Sequence, residues 1–258
     1  PLVVFASFGV LVLVALKLRL PNDTPRFAAR GIVTSYPSAA SVNQPEVEEG
    51  VEEDNALPRE EVRLPWRDER FANWLVAGLI GGHAQAILLG VVDFLIRDRL
   101  GLHDLPKETV EATGSVMFVG AMATLLAQWG LIPILQIGSR ASVLWGAFLA
   151  LLGIILVGVS YDFYGITLGF ALASLGFGLY RPGFTTGASL AVRRFEQGDV
   201  AGKIASLSGS AYIVTPAIGV ALFNWWEPAT FILIGIALLY LIVWGRKALD
   251  DAPKPLDA

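Results

Sequence analysis

The sequence predicts an all-α fold, a polytopic membrane helix bundle, on three observations. Apolar residues fill 54% of the 258 positions and charged residues only 16%, against about 25% charged in an average soluble domain. Those apolar residues gather into runs of about 20, the length that crosses a bilayer core, and mean hydropathy is +0.59. Lipid offers a backbone no hydrogen bonds, so runs of this kind are helices.

Pro1–Leu16 is uninterrupted apolar sequence, and its bases, Lys17 and Arg19, come after the run. A signal peptide has its bases first and a small-residue cleavage site last. Residues 1–17 are therefore expected to be the end of a transmembrane helix, and the chain a fragment of a longer protein.

Residues 18–70 differ in kind. They hold the acidic run Glu46–Asp54 and repeated prolines, a composition that buries too little apolar surface to fold alone. A largely disordered cytoplasmic linker is expected, its end near Trp66 and Trp74 lying at headgroup level as a short interfacial segment.

Six complete spans follow, together the bundle 71–247: Phe71–Ile96, Ala112–Leu135, Ser142–Val159, Phe163–Val192, Ile204–Phe223 and Ala229–Trp244. A short polar tail, 248–258, closes the chain. Lys and Arg flanking the spans favour one side. Arg140, Arg193, Arg194, Lys203, Arg246, Lys247 and Lys254 share a side with the long linker, and only Arg97, Arg99 and Lys107 lie opposite. The positive-inside rule puts the linker and the C-terminus in the cytoplasm.

Composition and motif searches argue against catalysis. There is no cysteine, and His83 and His103 are the two histidines, so no metal site and no cofactor is expected. The P-loop pattern and the serine-nucleophile elbow do not occur. The bases flank membrane spans and form no nucleic-acid stripe.

Ionisable groups inside spans are costly and mark function or a structural pairing. His83 lies near the middle of its span and is the group there that changes charge near neutral pH. Gly90, Asp93 and Arg97 fall within about 80° of it on the helix. Two readings stand for His83: a protonation or substrate contact, or a neutral imidazole bonded to a neighbouring helix. Asp93 either joins that pathway or pairs with Arg97 one turn on. Gln85 points about 160° away from His83, which suits an interhelical hydrogen bond.

Arg181 is the one charge between Asp162 and Arg193. Ser174, Gly178, Arg181, Thr185 and Ser189 recur at helical spacing, one polar stripe down one face. Pro182 removes a backbone donor there, so a bend is expected. Such a face suits the wall of a moving cavity, or else a structural ion pair with a missing first half of the protein. Ser208, Tyr212, Thr215 and Gly219 draw a similar stripe on the next span, for which hydroxyl-to-backbone bonds alone are the alternative explanation. Gln128 either lines the same cavity or bonds a neighbouring helix.

The layout resembles the second half of a major facilitator superfamily transporter. One span, a long acidic linker and six further spans match that family's passage from its sixth span onward. Leu18–Pro21, closing the first run, is similar to the proline-containing stop after span six of drug-efflux members. Arg193–Gly219 resembles the region joining spans ten and eleven in the drug:proton antiporter branch. Within it, Pro216–Gly219 echoes a G-P-x-x-G motif, with Thr215 replacing the first glycine. Gly138–Arg140 takes the place of the family's basic G-x-x-x-D-R loop, without its aspartate.

The resemblance implies the second six-helix half of a major-facilitator fold in a bacterial inner membrane. Its partners would be the lipid bilayer, the missing N-terminal half of the same transporter, a small-molecule substrate and protons. The expected activity is proton-coupled export of a small amphipathic molecule or drug. A proton-coupled metabolite or organic-anion carrier using Arg181 is the alternative, and a non-transporting membrane scaffold or receptor is a second. The substrate and proton pathway is expected at His83, Asp93, Gln128, Arg181, Thr185 and Tyr212, with Pro182, Pro216 and Gly219 serving helix bending and packing.

Overall fold

The computed structural model describes residues 63–193 and 196–251. The expectations for 1–17, for most of the linker 18–70 and for residues 252–258 of the tail lie outside the described residues. Among these there are six helices and no strand: α1 (Ala72–Arg99), α2 (Pro106–Leu135), α3 (Ser139–Val159), α4 (Phe163–Leu190), α5 (Gln197–Trp225) and α6 (Glu227–Ala248). All six are long and apolar enough to cross a membrane.

Five of the six helices outrun the apolar runs that mark them, and α4 stops at Leu190, two residues short of its expected end. α2 starts at Pro106, ahead of Ala112, because proline suits the first turn and Glu108 favours the positive end of the helix dipole. α5 starts at Gln197, well ahead of the apolar run that begins at Ile204. Apolar length measures the lipid-crossing part of a helix, and the helix itself continues into the polar flank.

α2 contains a widened, π-helical turn at Leu126–Leu131, just before Pro133. A proline ring clashes with the carbonyl four residues earlier and offers no N–H to it. A π turn is one way for a helix to absorb such a misfit. α4 runs through Pro182, and α5 through Pro216, without a break.

α1 and α4 pack against each other at the centre, with α2 and α5 on their flanks, while α3 packs on α4 and pairs with α6. The closest approach is α3 on α4. A Cβ added to Gly153 would lie 2.2 Å from the Ala173 amide nitrogen, and one on Gly176 would lie 2.3 Å from that of Ala150. Between lipid-embedded helices the gain comes from such backbone proximity, since leaving lipid brings no hydrophobic reward. α1 meets α4 through Tyr180, whose fully buried ring fills the notch at Gly81 and whose hydroxyl donates to the Ala77 carbonyl. α1 meets α5 where Gly90 lies on Pro216 and Ile87 on Gly219.

Polar clusters fasten both ends. At one end, Arg70 bridges Asp68 and Glu196, each with a contact of 2.8 Å. The Leu64 amide donates to Asp199, and Lys203 lies over the Trp66 ring. The close of the linker is therefore strapped across the start of α5. Trp74 departs from the interfacial expectation: it is buried in α1 with its ring on Gly187. Asn73 donates to the Ala248 carbonyl and the Arg140 side chain to that of Arg246, satisfying carbonyls that the end of α6 leaves open. Asp251 accepts from the Arg140 amide at 2.8 Å, placing a carboxylate at the start of α3. At the other end, Arg99 ties α1 to α3 and α6.

Candidate functional site

A groove of about 740 Å³ lies between the last third of α4 and the first half of α5. Arg181, Thr185 and Ser189 line it from α4, and Ile204, Ser208 and Tyr212 from α5. Leu190, at the mouth, and Arg181, at the head, are separated by roughly 14 Å of helix rise. The groove thus reaches well into the span. Residues three or four apart share one helix face, which is why both sets of side chains arrive together.

Arg181 is exposed to the groove. Its guanidinium makes no hydrogen bond or ion pair with any described residue, and none of the residues lining the groove is acidic. Thr185 donates to the carbonyls of Arg181 and Pro182 at 3.1 and 3.0 Å. Its proton is thus used on its own helix, and only its oxygen faces the groove as an acceptor. Tyr212 is 40% exposed.

Only part of each sequence stripe reaches the groove. Ser174 and Gly178 turn toward α2, where Thr124 donates to the Ser174 carbonyl and the Gly178 backbone lies against Thr124 and Ala127. On α5, Thr215 is buried and Gly219 faces Ile87 of α1. Each stripe therefore divides between a groove wall and a packing seam. The groove is wider than either stripe: Thr186, Ala201 and Ala205 also line it. None of them could be found from one helix face, because they belong to the angle between two helices.

His83, Asp93 and Gln128 do not line this groove. His83 Nδ1 lies 2.7 Å from the Leu79 carbonyl of its own helix. A carbonyl only accepts, so Nδ1 is the donor in this contact. Asp93 accepts from Thr113 of α2 at 2.8 Å. The alternative pairing with Arg97 does not form; Arg97 reaches Asp98 at 3.3 Å and its guanidinium lies over Phe94. Gln128 lies in the π turn of α2, partly buried. Among the described residues no cluster of His, Asp or Glu is arranged to hold a metal ion.

The described residues define a class: an all-helical bundle with six helices of membrane-crossing length and a polar groove running into it. The chain matches no protein-family model and no curated protein sequence.

Proposed function

We propose that the chain is half of a secondary active transporter of the major facilitator type, moving a small amphipathic molecule in exchange for protons. One observation carries the reading: a groove with a cationic head and hydroxyl-bearing walls, sunk into helices long enough to cross a membrane. Polar groups at that depth are expensive unless they face a cavity or a partner. The volume falls in the range of small-molecule sites, roughly 300–1,000 Å³.

A second six-helix half, facing the groove across the midplane, would complete the site, and rocking of the halves would alternate its access. The membrane is the bacterial inner membrane, with the linker and C-terminus cytoplasmic, so the groove opens inward. His83, on the neighbouring central helix α1, is the proton-carrying group of the scheme.

The test is flux through the complete transporter, both halves present, in sealed vesicles under an imposed pH gradient, using amphipathic dyes of each charge. Gradient-driven flux in the wild type, lost in a folded His83→Ala variant, supports the proposal. Flux that ignores the gradient removes the proton coupling. No flux of any dye by a folded preparation overturns transport and favours a scaffold or receptor.

A further inference from the structure

We infer that the α4–α5 groove selects organic monoanions, a single carboxylate on an apolar body, and disfavours cations. The inference rests on the transport reading for its biological sense, but it concerns binding and is tested as binding.

The groove carries one formal charge, the Arg181 guanidinium, and that charge has no carboxylate partner among the described residues. A guanidinium presents a planar fork of donors that matches a carboxylate in bidentate fashion. Near it stand Ser208 and Tyr212, each with a hydroxyl able to donate. Toward the mouth the wall gains apolar surface from Leu190, Ala201, Ile204 and Ala205, with Ser189 beside them. The groove thus has a cationic head deep in the span and a more apolar entrance, the complement of an amphipathic acid entering body last. One cation balances one negative charge; a dianion would bring a second charge into low dielectric without a partner. A cationic amphipath would meet Arg181 with no acid among the described lining residues to offset the repulsion.

The experiment is calorimetric titration of the complete protein, both halves present, in discs of neutral phosphatidylcholine, with empty discs subtracted. Three probes share one ring: a naphthalene carboxylate, the naphthylmethyl ammonium and the naphthyl methanol. The carboxylate is expected to bind best and the ammonium worst. Charged hydrogen bonds of this kind are worth roughly 10- to 100-fold in affinity, and Arg181→Gln should lose that factor for the carboxylate while leaving the alcohol unchanged. Arg181→Lys, which keeps the charge and loses the fork, should fall between.

The wild-type order is itself decisive, whatever the variants do to folding. Equal or tighter binding of the ammonium overturns the inference, as does unchanged carboxylate affinity in a folded Arg181→Gln chain. The transport reading fails separately: carboxylate binding without flux sinks transport and keeps the site, whereas gradient-driven flux of cationic dyes keeps transport and sinks the anion class.

Discussion

The Arg99 Nε donates to Glu227 Oε1 at 2.6 Å, joining the last turn of α1 to the first turn of α6. The same guanidinium donates to the carbonyls of Val157, Gly158 and Ser160 at the close of α3. Tyr161 and Phe231 cover it at 4.6 and 5.6 Å. Glu227 gains as well from the positive end of the α6 dipole, and Arg99 from the negative end of α3. The Arg99 side chain is only 4% exposed. Arg99→Ala would strand a carboxylate and leave helix-end carbonyls open, a loss on the order of 3–5 kcal/mol by analogy with broken buried pairs. Arg97 offers the contrast: its pair with Asp98 is exposed, and Arg97→Ala should cost no more than about 1 kcal/mol. Thermal unfolding of both variants in one detergent checks the difference. Equal melting points would deny Arg99 its role as a fastener.

The α3–α4 seam makes a sharper demand. At Gly153 an added methyl falls 2.2 Å from a backbone nitrogen, which no rotamer change relieves. Gly153→Ala must push two helices apart, with overpacking costs of about 1–3 kcal/mol or more. Gly114 of α2 has nothing within 4 Å of its added Cβ. Gly114→Ala should be neutral or stabilising by up to about 1 kcal/mol, from helix propensity. Unfolding midpoints of the two alanine variants should move in opposite directions or differ clearly in size.

Much of this was legible in the sequence, and the exceptions have a common cause. Each span was marked by its apolar run, because lipid thickness imposes a length that local sequence carries. Polar faces were marked by helical spacing, but the neighbour of each face was not. Ser174 and Arg181 share a stripe, yet one turns to α2 and the other to the groove, a division set by helix crossing. Asp93 sits one turn from Arg97 and bonds instead to Thr113, twenty positions away in sequence. Arg99 looked like an ordinary membrane-flanking base, since its partners at 157–160 and 227 are remote. Pro133 was the one overlooked local signal: a proline near the end of a long apolar run implies an accommodation in the preceding turn.

Tyr180 separates a hydrogen bond from a packing volume. Its hydroxyl donates to the Ala77 carbonyl, which already accepts within α1 as a helix carbonyl does. Removing the hydroxyl leaves no orphaned acceptor, so Tyr180→Phe should cost about 1 kcal/mol or less. Removing the ring opens a cavity beside Gly81, and Tyr180→Ala should cost about 3–5 kcal/mol. Parallel unfolding curves check the ratio. A Phe variant as damaged as the Ala variant would mean that the hydroxyl, and not the ring, holds α1 to α4.

The Asp68–Arg70–Glu196 cluster gives the strap at the start of α5 a pH dependence whose sign can be worked out. Hydrogen bonds from Arg70 hold the Asp68 carboxyl below its ordinary value, against the opposing effect of burial. Burial lifts the Glu196 carboxyl, but the bonds from Arg70 and from the Arg193 amide outweigh it, and the net shift is downward. Lowered carboxyls contribute stability that is fully present above the unfolded-state range, about pH 4, and is lost as pH falls through the folded values. The strap should therefore stay closed through neutral and mildly acidic pH and open only in stronger acid. Trp66, exposed beside Lys203, reports the opening by its fluorescence. In Arg70→Gln the carboxyls lose their main partner, so the same transition should move up toward about pH 4. A transition that stays where it is in Arg70→Gln would show that the strap is held by Leu64, Asp199 and Lys203 alone.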